Sequence, residues 1–513
     1  MKNYKEDLVK EVIADFLRRQ KERLSLERMW ELCLNFANGK QFMYLTPRLE
    51  MQEKEKEHFW EERQVFNHIA PIIETRLAKL SKIHPIFAVK GEGGETLIKG
   101  SQATALKDTE NKLIRIFERE NLREAVSIAT SWSEITGTAF YKITKCGEGV
   151  KILPLSPFEI YPDNLETENI ENLRSVIHAK KLSRDEIKEK FGIDIDTKKE
   201  KKRRCFGKTE GDDELITVIE RYERPSKEFP LGRRITVAGD KLVGTGVLPI
   251  FCGENGGHNC GGDNGGGCDK SGGDNVGGKV ADGFGAFVFP FIKQESISVP
   301  GCFFGKSVVE RLIPVQRAFN AVKNRKHEFL NRLTNGILKV EDGSVDTDDL
   351  ESNGLAPGSM LIYRQGSTAP EMMKDYDMPD GFDKEEEKLL SEFTTLGGVA
   401  DVSNMYTSAN LTSGTALELL SRQDNERLVP TAERIRKCYL AIANYVIALI
   451  LGGKTCGQVA VIENENELLY TESQKKERVL ELYKSGLLEN DKGKIDMEKK
   501  QKIIALLGFR DLI

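Results

Sequence analysis

One segment of the chain, Pro300 to Ser307, contains residue types that could bind phosphate and reads PGCFFGKS. A nucleotide-binding loop of the G-x-x-x-x-G-K-[ST] kind needs four residues between its glycines, because successive backbone N–H groups must curl around the phosphates. Here Gly301 and Gly305 enclose only three residues, and the preceding segment ends in a proline rather than in a buried apolar strand. The spacing therefore favours the start of a helix over an ATP site.

A second group of residues could bind a metal. Cys252, Cys260 and Cys268 accompany His258 in and beside a tract, 253–285, that holds 14 glycines in 33 residues. Zinc sites usually contain C-x-x-C pairs, because two thiolates must meet one ion without strain. Seven residues separate each of these cysteines from the next, so the sequence predicts a flexible, low-complexity surface insertion and no metal.

Catalytic signatures are missing from the sequence. The six histidines are scattered, and there is no H-E-x-x-H, no G-x-S-x-G and no H-x-E paired with C-x-x-C. The chain has 81 carboxylate side chains, so chance pairs of them carry no weight. We therefore predict that the protein is not an enzyme and needs no cofactor.

Composition indicates a globular, surface-rich protein of two to four domains. The chain has 513 residues, of which 39% are hydrophobic and 31% charged. A net charge of −5 argues against tight binding of nucleic acid along the whole surface. Nine cysteines without paired spacing fit a reducing compartment. The longest apolar run, 438–451, is too short to cross a bilayer, so no membrane association is expected.

The N-terminal half predicts segregated helices and strands rather than a βαβ alternation. Apolar periodicity and capping residues predict helices over 1–22, 67–84, 103–120 and 122–135, the last ending at Gly137. Strand-like runs follow at 139–144, 150–155, 176–179, 215–222 and 234–237. The expected fold class is α+β, predominantly α-helical.

A long amphipathic helix follows Ser307. Its apolar residues alternate four and three apart, which is typical of a seam where helix packs on helix. These residues are Val308, Leu312, Val315, Phe319, Val322, Phe329 and Leu333. Pro314 is expected to kink the helix or to mark its true start. We interpret this seam as the contact with neighbouring subunits.

Beyond Gly336 the sequence pattern changes from a long helix to short strand-like runs. Runs at 337–340 and 359–363 predict a small β unit of about forty residues between two helices, the second over 383–396. A polar loop, 401–412, leads to a long helix that opens at Ser413 and contains Pro430. Two shorter helices are expected to close the chain.

This order of elements resembles the portal proteins of tailed double-stranded DNA bacteriophages and prophages. The resemblance covers roughly residues 30 to 450, about four fifths of the chain, and no single phrase in it is specific. The Gly-rich tract departs from the family pattern. The matching phrases are Trp30 with GKQF at 39–42, Asn67 to Pro71 with IIE at 72–74, Trp132 to Thr138, SPFE at 156–159 with YPD at 161–163, PG at 300–301 with FGKS at 304–307, and SGTAL at 413–417.

The resemblance implies a ring, a dodecamer in this family, at one capsid vertex of the virion. The ring is assembled in the bacterial cytoplasm, and double-stranded DNA enters and leaves through it. The implied partners are the terminase large subunit, head-completion or adaptor proteins, and the major capsid and scaffolding proteins. The implied regions are a wing (1–301, with the Gly-rich insertion 253–285), a stem helix (302–336), a clip (337–378), a second stem helix (379–397), a tunnel loop (398–412), a long kinked wing helix (413–452) and a crown (453–513).

Seven residues are candidates for the wall of the DNA channel. Because each neutralised phosphate adds to affinity, a channel for sliding DNA should carry few cations. The stem candidates are Lys323, Arg325 and Lys326, and the tunnel-loop candidates are Asn404, Tyr406, Ser408 and Asn410. Pairing of the stem cations with acidic residues of an adjacent subunit, and a plain surface turn for the loop, remain open alternatives.

Two other functions remain open besides the conduit. One is a phage structural adaptor or capsid-associated protein without a DNA channel, and the other is an ATP-driven packaging motor that uses the segment from Gly301 to Ser307. If the seam joins subunits, replacement of Phe319 and Val322 by Asp should abolish ring assembly while the monomer keeps its secondary structure.

Overall fold

The structure is a computed structural model that describes residues 2–56, 61–83, 85–90, 101–146, 149–193, 215–248, 289–335, 337–345, 362–373, 380–398, 414–450 and 458–462. About 51% of the described residues are helical and 21% lie in strands, so the predicted α+β class with a predominance of helix is confirmed. The Gly-rich tract lies outside the described residues, as do Cys252, Cys260, Cys268 and His258.

The described residues form nine α-helices: α1 Lys2–Glu22, α2 Leu24–Ala37, α3 Ile69–Leu80, α4 Ser101–Arg119, α5 Leu122–Thr136, α6 Arg184–Phe191, α7 Val308–Asn335, α8 Gly381–Gly397 and α9 Gly414–Ile450. Their strands are β1 Met43–Leu45, β2 Met51–Glu53, β3 Ile86–Lys90, β4 Thr138–Cys146, β5 Gly149–Leu155, β6 Ile160–Pro162, β7 Ser175–Ser183, β8 Leu215–Glu223, β9 Arg233–Ala238, β10 Lys241–Gly246, β11 Phe291–Glu295, β12 Ile337–Lys339, β13 Glu371–Met373 and β14 Gln458–Ile462. Two 3₁₀ turns occupy Pro157–Glu159 and Ile170–Asn172.

The strands form small antiparallel sheets. A five-stranded sheet has the order β10-β9-β8-β7-β6, and a three-stranded sheet has the order β11-β4-β5. Apolar side chains of α1, including Val12 and Phe16, cover the five-stranded sheet at Ile177 and Ile219. Helices α4, α5 and α9 share a core with the three-stranded sheet. All five strands predicted in the N-terminal half are therefore confirmed, each somewhat longer than its apolar run.

Helix α5 ends where the sequence predicts. Gly137 follows its last residue with φ +92°, a left-handed conformation that glycine adopts without the steric cost of a Cβ. The amide of Gly137 donates to the carbonyl of Ser133, which closes the last turn. The chain then enters β4 directly, so the C-terminus of α5 is fixed on the three-stranded sheet.

The apolar residues of the predicted seam, which we name the apolar stripe of α7, pack against other helices of the same chain. Its first four positions are buried in one core with side chains of α2, α3 and α8, and the fifth packs at the edge of that core. The interpretation of the seam as a contact with neighbouring subunits therefore does not account for these positions, because three helices of the same chain cover them. The four buried positions are Val308, Leu312, Val315 and Phe319, and the fifth is Val322.

The remaining two positions of the stripe lie nearer the C-terminal end of α7. The half-buried ring of Phe329 faces Phe382 of α8, with 6.3 Å between ring centroids. The side chain of Leu333 lies outside the described residues. Pro314 is inside α7, which begins six residues earlier, so it does not mark the start of the helix.

The small β unit between α7 and α8 differs in one strand from the sequence prediction. Strand β12 confirms the run at 337–340, but its antiparallel partner is β13, Glu371–Met373, instead of 359–363. Ile362 and Tyr363 are exposed and belong to no strand, and 359–361 lie outside the described residues. Apolar residues there suggested a strand, but cross-strand pairing depends on tertiary contacts that a short run does not encode.

Strand β14 joins the end of the described chain to its N-terminal half. Residues Gln458–Ile462 pair antiparallel with β3, Ile86–Lys90. The resemblance implies a crown over 453–513, in which the sequence predicts two short helices. The first part of that region pairs with the N-terminal half, and the expected helices lie outside the described residues.

Candidate functional site

The segment that resembles a phosphate-binding loop uses its amides on the protein itself. Five of its backbone N–H groups donate to protein oxygens, and the rings of Phe303 and Phe304 are buried. Four of these bonds are 2.8 Å long and run from Gly301 to Glu168 Oε1, from Phe303 to the carbonyl of Leu165, from Gly305 to Thr138 Oγ1 and from Lys306 to the carbonyl of Ile297. The fifth runs from Cys302 to the carbonyl of Val299 at 3.2 Å. Amides that are already bonded cannot form a phosphate cradle.

Close packing explains why the second glycine of this loop, Gly305, cannot be replaced by a larger residue. A Cβ at Gly305 would lie 2.6 Å from the carbonyl oxygen of Ile297 and 3.0 Å from that of Gly137, closer than a side chain tolerates. Gly137 in turn has no room for a Cβ against the backbone of Gly305. The two glycines therefore allow the backbone of the loop to pack directly against the C-terminus of α5. Ser307 Oγ accepts a hydrogen bond from the amide of Val309 and so caps the start of α7.

A buried carboxylate beneath the loop joins five segments of the chain. Glu134 of α5 is fully buried, and its Oε2 accepts from Arg76 Nε of α3 at 2.5 Å. Its Oε1 accepts from Ser296 Oγ, and its backbone carbonyl accepts from Ser307 Oγ, both at 2.8 Å. Arg76 Nη1 also donates to the carbonyl of Gly397 at 2.8 Å. This ion pair thereby attaches the last turn of α8 to α3 and α5. The positive charge of Arg76 is favourable there, because the C-terminal end of a helix carries a partial negative charge.

Helices α7 and α8 pack side by side and antiparallel, and we name them the helix pair. Phe319 lies near Phe393 and Phe329 near Phe382, with ring centroids 5.9 and 6.3 Å apart, so the residue numbers rise on one helix as they fall on the other. The ring of His68 lies between Phe319 and Phe393. Burial, and then the charge of Lys323, lowers the pKa of His68, so this ring is kept neutral in the apolar contact.

Two of the three stem cations pair across the helix pair. Lys323 Nζ contacts Glu386, and Lys326 Nζ contacts both Asp383 and Glu386. The bond to Asp383 raises the pKa of Lys326, which keeps that ammonium charged. The sequence alternative placed such pairs between subunits, but here the carboxylates belong to the same chain. Arg325 is exposed, and no described residue forms an ion pair with it.

A second feature of α7, which the sequence pattern does not predict, is a row of four polar side chains that we name the polar ladder. It consists of Gln316, Asn320, Asn324 and Glu328. Each of these side chains accepts one hydrogen bond from a backbone N–H of the segment 61–68, and the four donating residues are two apart in sequence. The bonds run from His68 to Gln316 (3.0 Å), from Phe66 to Asn320 (3.1 Å), from Gln64 to Asn324 (2.9 Å) and from Glu62 to Glu328 (3.0 Å). Gln316 and Asn324 also donate to the carbonyls of Phe66 and Gln64, respectively.

The geometry of the two backbones explains the match. Four residues of helix rise about 6 Å, and two residues of extended chain rise about 6.6 Å. Side chains four apart on α7 therefore meet amides two apart on the segment. The spacing of four polar residues with amide or carboxylate ends was visible in the sequence, but it reads as a solvated face until the covering segment is known.

The four tunnel-loop candidates, Asn404, Tyr406, Ser408 and Asn410, lie outside the described residues. The structure describes the residues before that loop. Gly398 ends α8 in a left-handed conformation with φ +67°. Arg427 of α9 donates to the carbonyl of Thr395 at 3.4 Å, so the chain on both sides of 399–413 meets at the last turn of α8.

No protein-family model matches the chain, and a search of curated proteins gives no match. No described helix is long and apolar enough to cross a membrane. Within the described residues no three His, Cys, Asp or Glu side chains are grouped as a metal would require.

Proposed function

We propose that the chain is a ring-forming portal protein, the conduit for double-stranded DNA at one vertex of a phage capsid. In this role it would serve genome packaging and ejection and would be the docking platform for terminase and head-completion proteins. The observation that carries the proposal is the order of elements from 308 to 450. A long helix, a two-stranded β unit, a second helix antiparallel to the first and another long helix follow one another, which is the order that the resemblance implies.

The charges of the helix pair support a conduit that does not hold DNA. Lys323 and Lys326 are paired with Asp383 and Glu386, so these ammonium groups are largely neutralised. Arg325 is the stem candidate left exposed without an ion pair in the described part of the chain. Few free cations among the three stem candidates mean few phosphate contacts from them, and hence weak and easily reversed binding.

The contacts of the loop before α7 do not favour the ATP-driven alternative. Its amides are bonded to protein oxygens, and Ser307 is bonded to α5 and to the start of α7. A motor would need these groups to bind phosphate. Addition of ATP and Mg²⁺ to the purified protein should therefore leave its thermal unfolding temperature unchanged, and a clear rise in that temperature would favour the motor.

Electron microscopy of the purified protein, combined with mass measurement in solution, tests the conduit directly. We expect a discrete ring with an axial opening wide enough for duplex DNA. A closed assembly without an opening would favour the structural adaptor. A chain that stays monomeric at high concentration would contradict both forms of the proposal.

A further inference from the structure

One histidine side chain lies where three helices of the chain meet. His68 directly precedes α3, and its half-buried ring lies between the ring of Phe319 on α7 and the ring of Phe393 on α8. The ring centroids of His68 and Phe319 are 4.5 Å apart and meet edge to face, whereas those of His68 and Phe393 are 5.2 Å apart and stack. The imidazole is therefore a wedge that both members of the helix pair contact.

The backbone around this wedge is fixed. The amide of His68 donates to Gln316 Oε1 of the polar ladder at 3.0 Å, and Asn67 Oδ1 accepts from the amides of Ile69 and Ala70 at 3.1 and 3.2 Å. The ring itself makes no capping bond to α3. These contacts hold the imidazole at the N-terminus of α3, where the partial positive charge of the helix disfavours a cation.

Charged groups on both helices of the pair act on the ring. Burial lowers the pKa of His68 most, the ammonium group of Lys323 on α7 lowers it further, and the carboxylate of Glu386 on α8 opposes them. Glu386 contacts both Lys323 and Lys326, so its charge is already shared by two cations. The first turn of α3 contains no acidic side chain. A positive ring is thus poorly compensated while it lies between the two phenylalanines.

Acid therefore acts against this aromatic contact. Because the enclosed ring binds a proton less readily than a hydrated ring, protonation favours arrangements in which the imidazole of His68 has left the contact. The contribution of the neutral ring is fully present above its usual pKa of 6.5 and is lost as the pH falls from there through the lowered pKa. The rings of Phe319 and Phe393 are 2% and 3% exposed, so release of the wedge would uncover apolar surface of both helices.

We propose that His68 is an acid-sensitive wedge between α7 and α8. The neutral ring joins Phe319 to Phe393 and keeps this end of the helix pair closed, and the protonated ring moves into water, so that this end opens. The other end, where Phe329 faces Phe382, contains no histidine in the contact and stays closed. This inference does not depend on the proposed function.

Amide hydrogen exchange of the full chain, read by mass spectrometry at about pH 8 and about pH 5.5 and corrected for the intrinsic effect of pH, tests the opening. Peptides that cover 314–322 and 389–397 should exchange roughly threefold faster or more at the lower pH. H68F keeps an aromatic wedge that cannot be protonated, so its corrected exchange should not depend on pH. H327Q, a matched histidine variant on α7, should behave like the parent. A parent without the acceleration, or H68F with the same acceleration as the parent, would overturn the proposal.

A second measurement needs no change at His68 itself. The hydrogen on Cε1 of an imidazole exchanges slowly at a rate that follows the charge of the ring, so mass spectrometry of the peptide that carries His68 gives its titration midpoint in the full chain. The midpoint should lie below 6.5. It should rise in K323M, because a cation is removed, and fall in E386Q, because a carboxylate is removed. A midpoint at or above 6.5 in the parent, or one that moves in neither variant, would contradict the proposal.

Discussion

At the scale of single residues, two buried ion pairs hold segments that are far apart in sequence. Arg76 and Glu134 join α3, α5 and the end of α8, whereas Lys142 and Glu220 join the two larger sheets. A buried pair is weak evidence for net stability, but removal of one partner leaves an uncompensated charge. These residues are therefore sensitive positions although they do not belong to the apolar core.

Replacement of Arg76 by Met tests the first pair. We expect a loss of about 3 kcal/mol in the free energy of unfolding, because Glu134 remains buried without a counter-ion and the end of α8 loses a donor. Urea unfolding at pH 7 measures this change. The control is Arg325→Met, an exposed position that should change stability by less than about 0.5 kcal/mol. Equal midpoints for the two variants would mean that Glu134 finds another donor.

Acid should destabilise the protein through Glu159 and Glu220. Both have a folded-state pKa below the usual value of 4.5, so their contribution to stability is fully present above that value and is lost as the pH falls through the folded pKa. We expect the unfolding temperature to drop below about pH 4.5. The drop should be shallower in E220Q and unchanged in E387Q, an exposed control. An equally steep drop in E220Q would contradict the assignment.

At the scale of elements, α7 uses two faces for two kinds of contact within one chain. Its apolar stripe packs on α2, α3 and α8, and its polar ladder bonds the backbone of 61–68. A helix covered on both faces is fixed in rotation and in register. Under the proposed function, contacts of this helix with other subunits must then involve other side chains than the first five positions of the stripe.

Phe319→Asp distinguishes the internal stripe from an intersubunit seam. Phe319 is 2% exposed within the single chain, so we now expect the monomer itself to lose about 3 kcal/mol or more. This replaces the expectation that the monomer would keep its structure. Circular dichroism and thermal unfolding of the variant provide the measurement, with Ala321→Asp on the exposed face as control. A stable, folded F319D monomer would restore the seam between subunits.

The double variant Asn320→Leu with Asn324→Leu tests the polar ladder. It removes the acceptors for the amides of Phe66 and Gln64, so we expect hydrogen exchange to accelerate across 61–68 while α7 remains helical. Mass spectrometry of exchanged peptides measures both. Ala318→Leu with Ala321→Leu is the matched control on the exposed face. Unchanged protection of the segment would show that packing of Phe66 alone holds it.

At the scale of the whole molecule, the net charge is −5 and two lysines of the helix pair are paired with carboxylates. Under the proposed function, the variant D383N with E386Q should free Lys323 and Lys326 for phosphate. Binding of duplex DNA should tighten, and the plot of log affinity against log salt should steepen by roughly 0.9 for each new contact. Filter binding over a range of salt measures both, with E387Q and E392Q as control. No change in the slope would place these lysines away from DNA.

The sequence by itself determined the elements. Apolar periodicity and glycine at a helix end located α5, α7 and α8 and the strands of the N-terminal half, because side-chain spacing and backbone freedom are local properties. It also indicated that the loop before α7 does not match a phosphate site, since the count between Gly301 and Gly305 is read directly from the chain.

Only the tertiary structure decided which partners these elements take. The stripe of α7 is apolar whether it meets α8 of its own chain or another subunit, and Lys326 is charged whether it meets Asp383 or phosphate. The polar ladder joins residues 248 to 266 positions apart, and no local pattern encodes such contacts. Burial and pairing are properties of the folded whole, because free energy depends on what surrounds each side chain and not on its sequence neighbours.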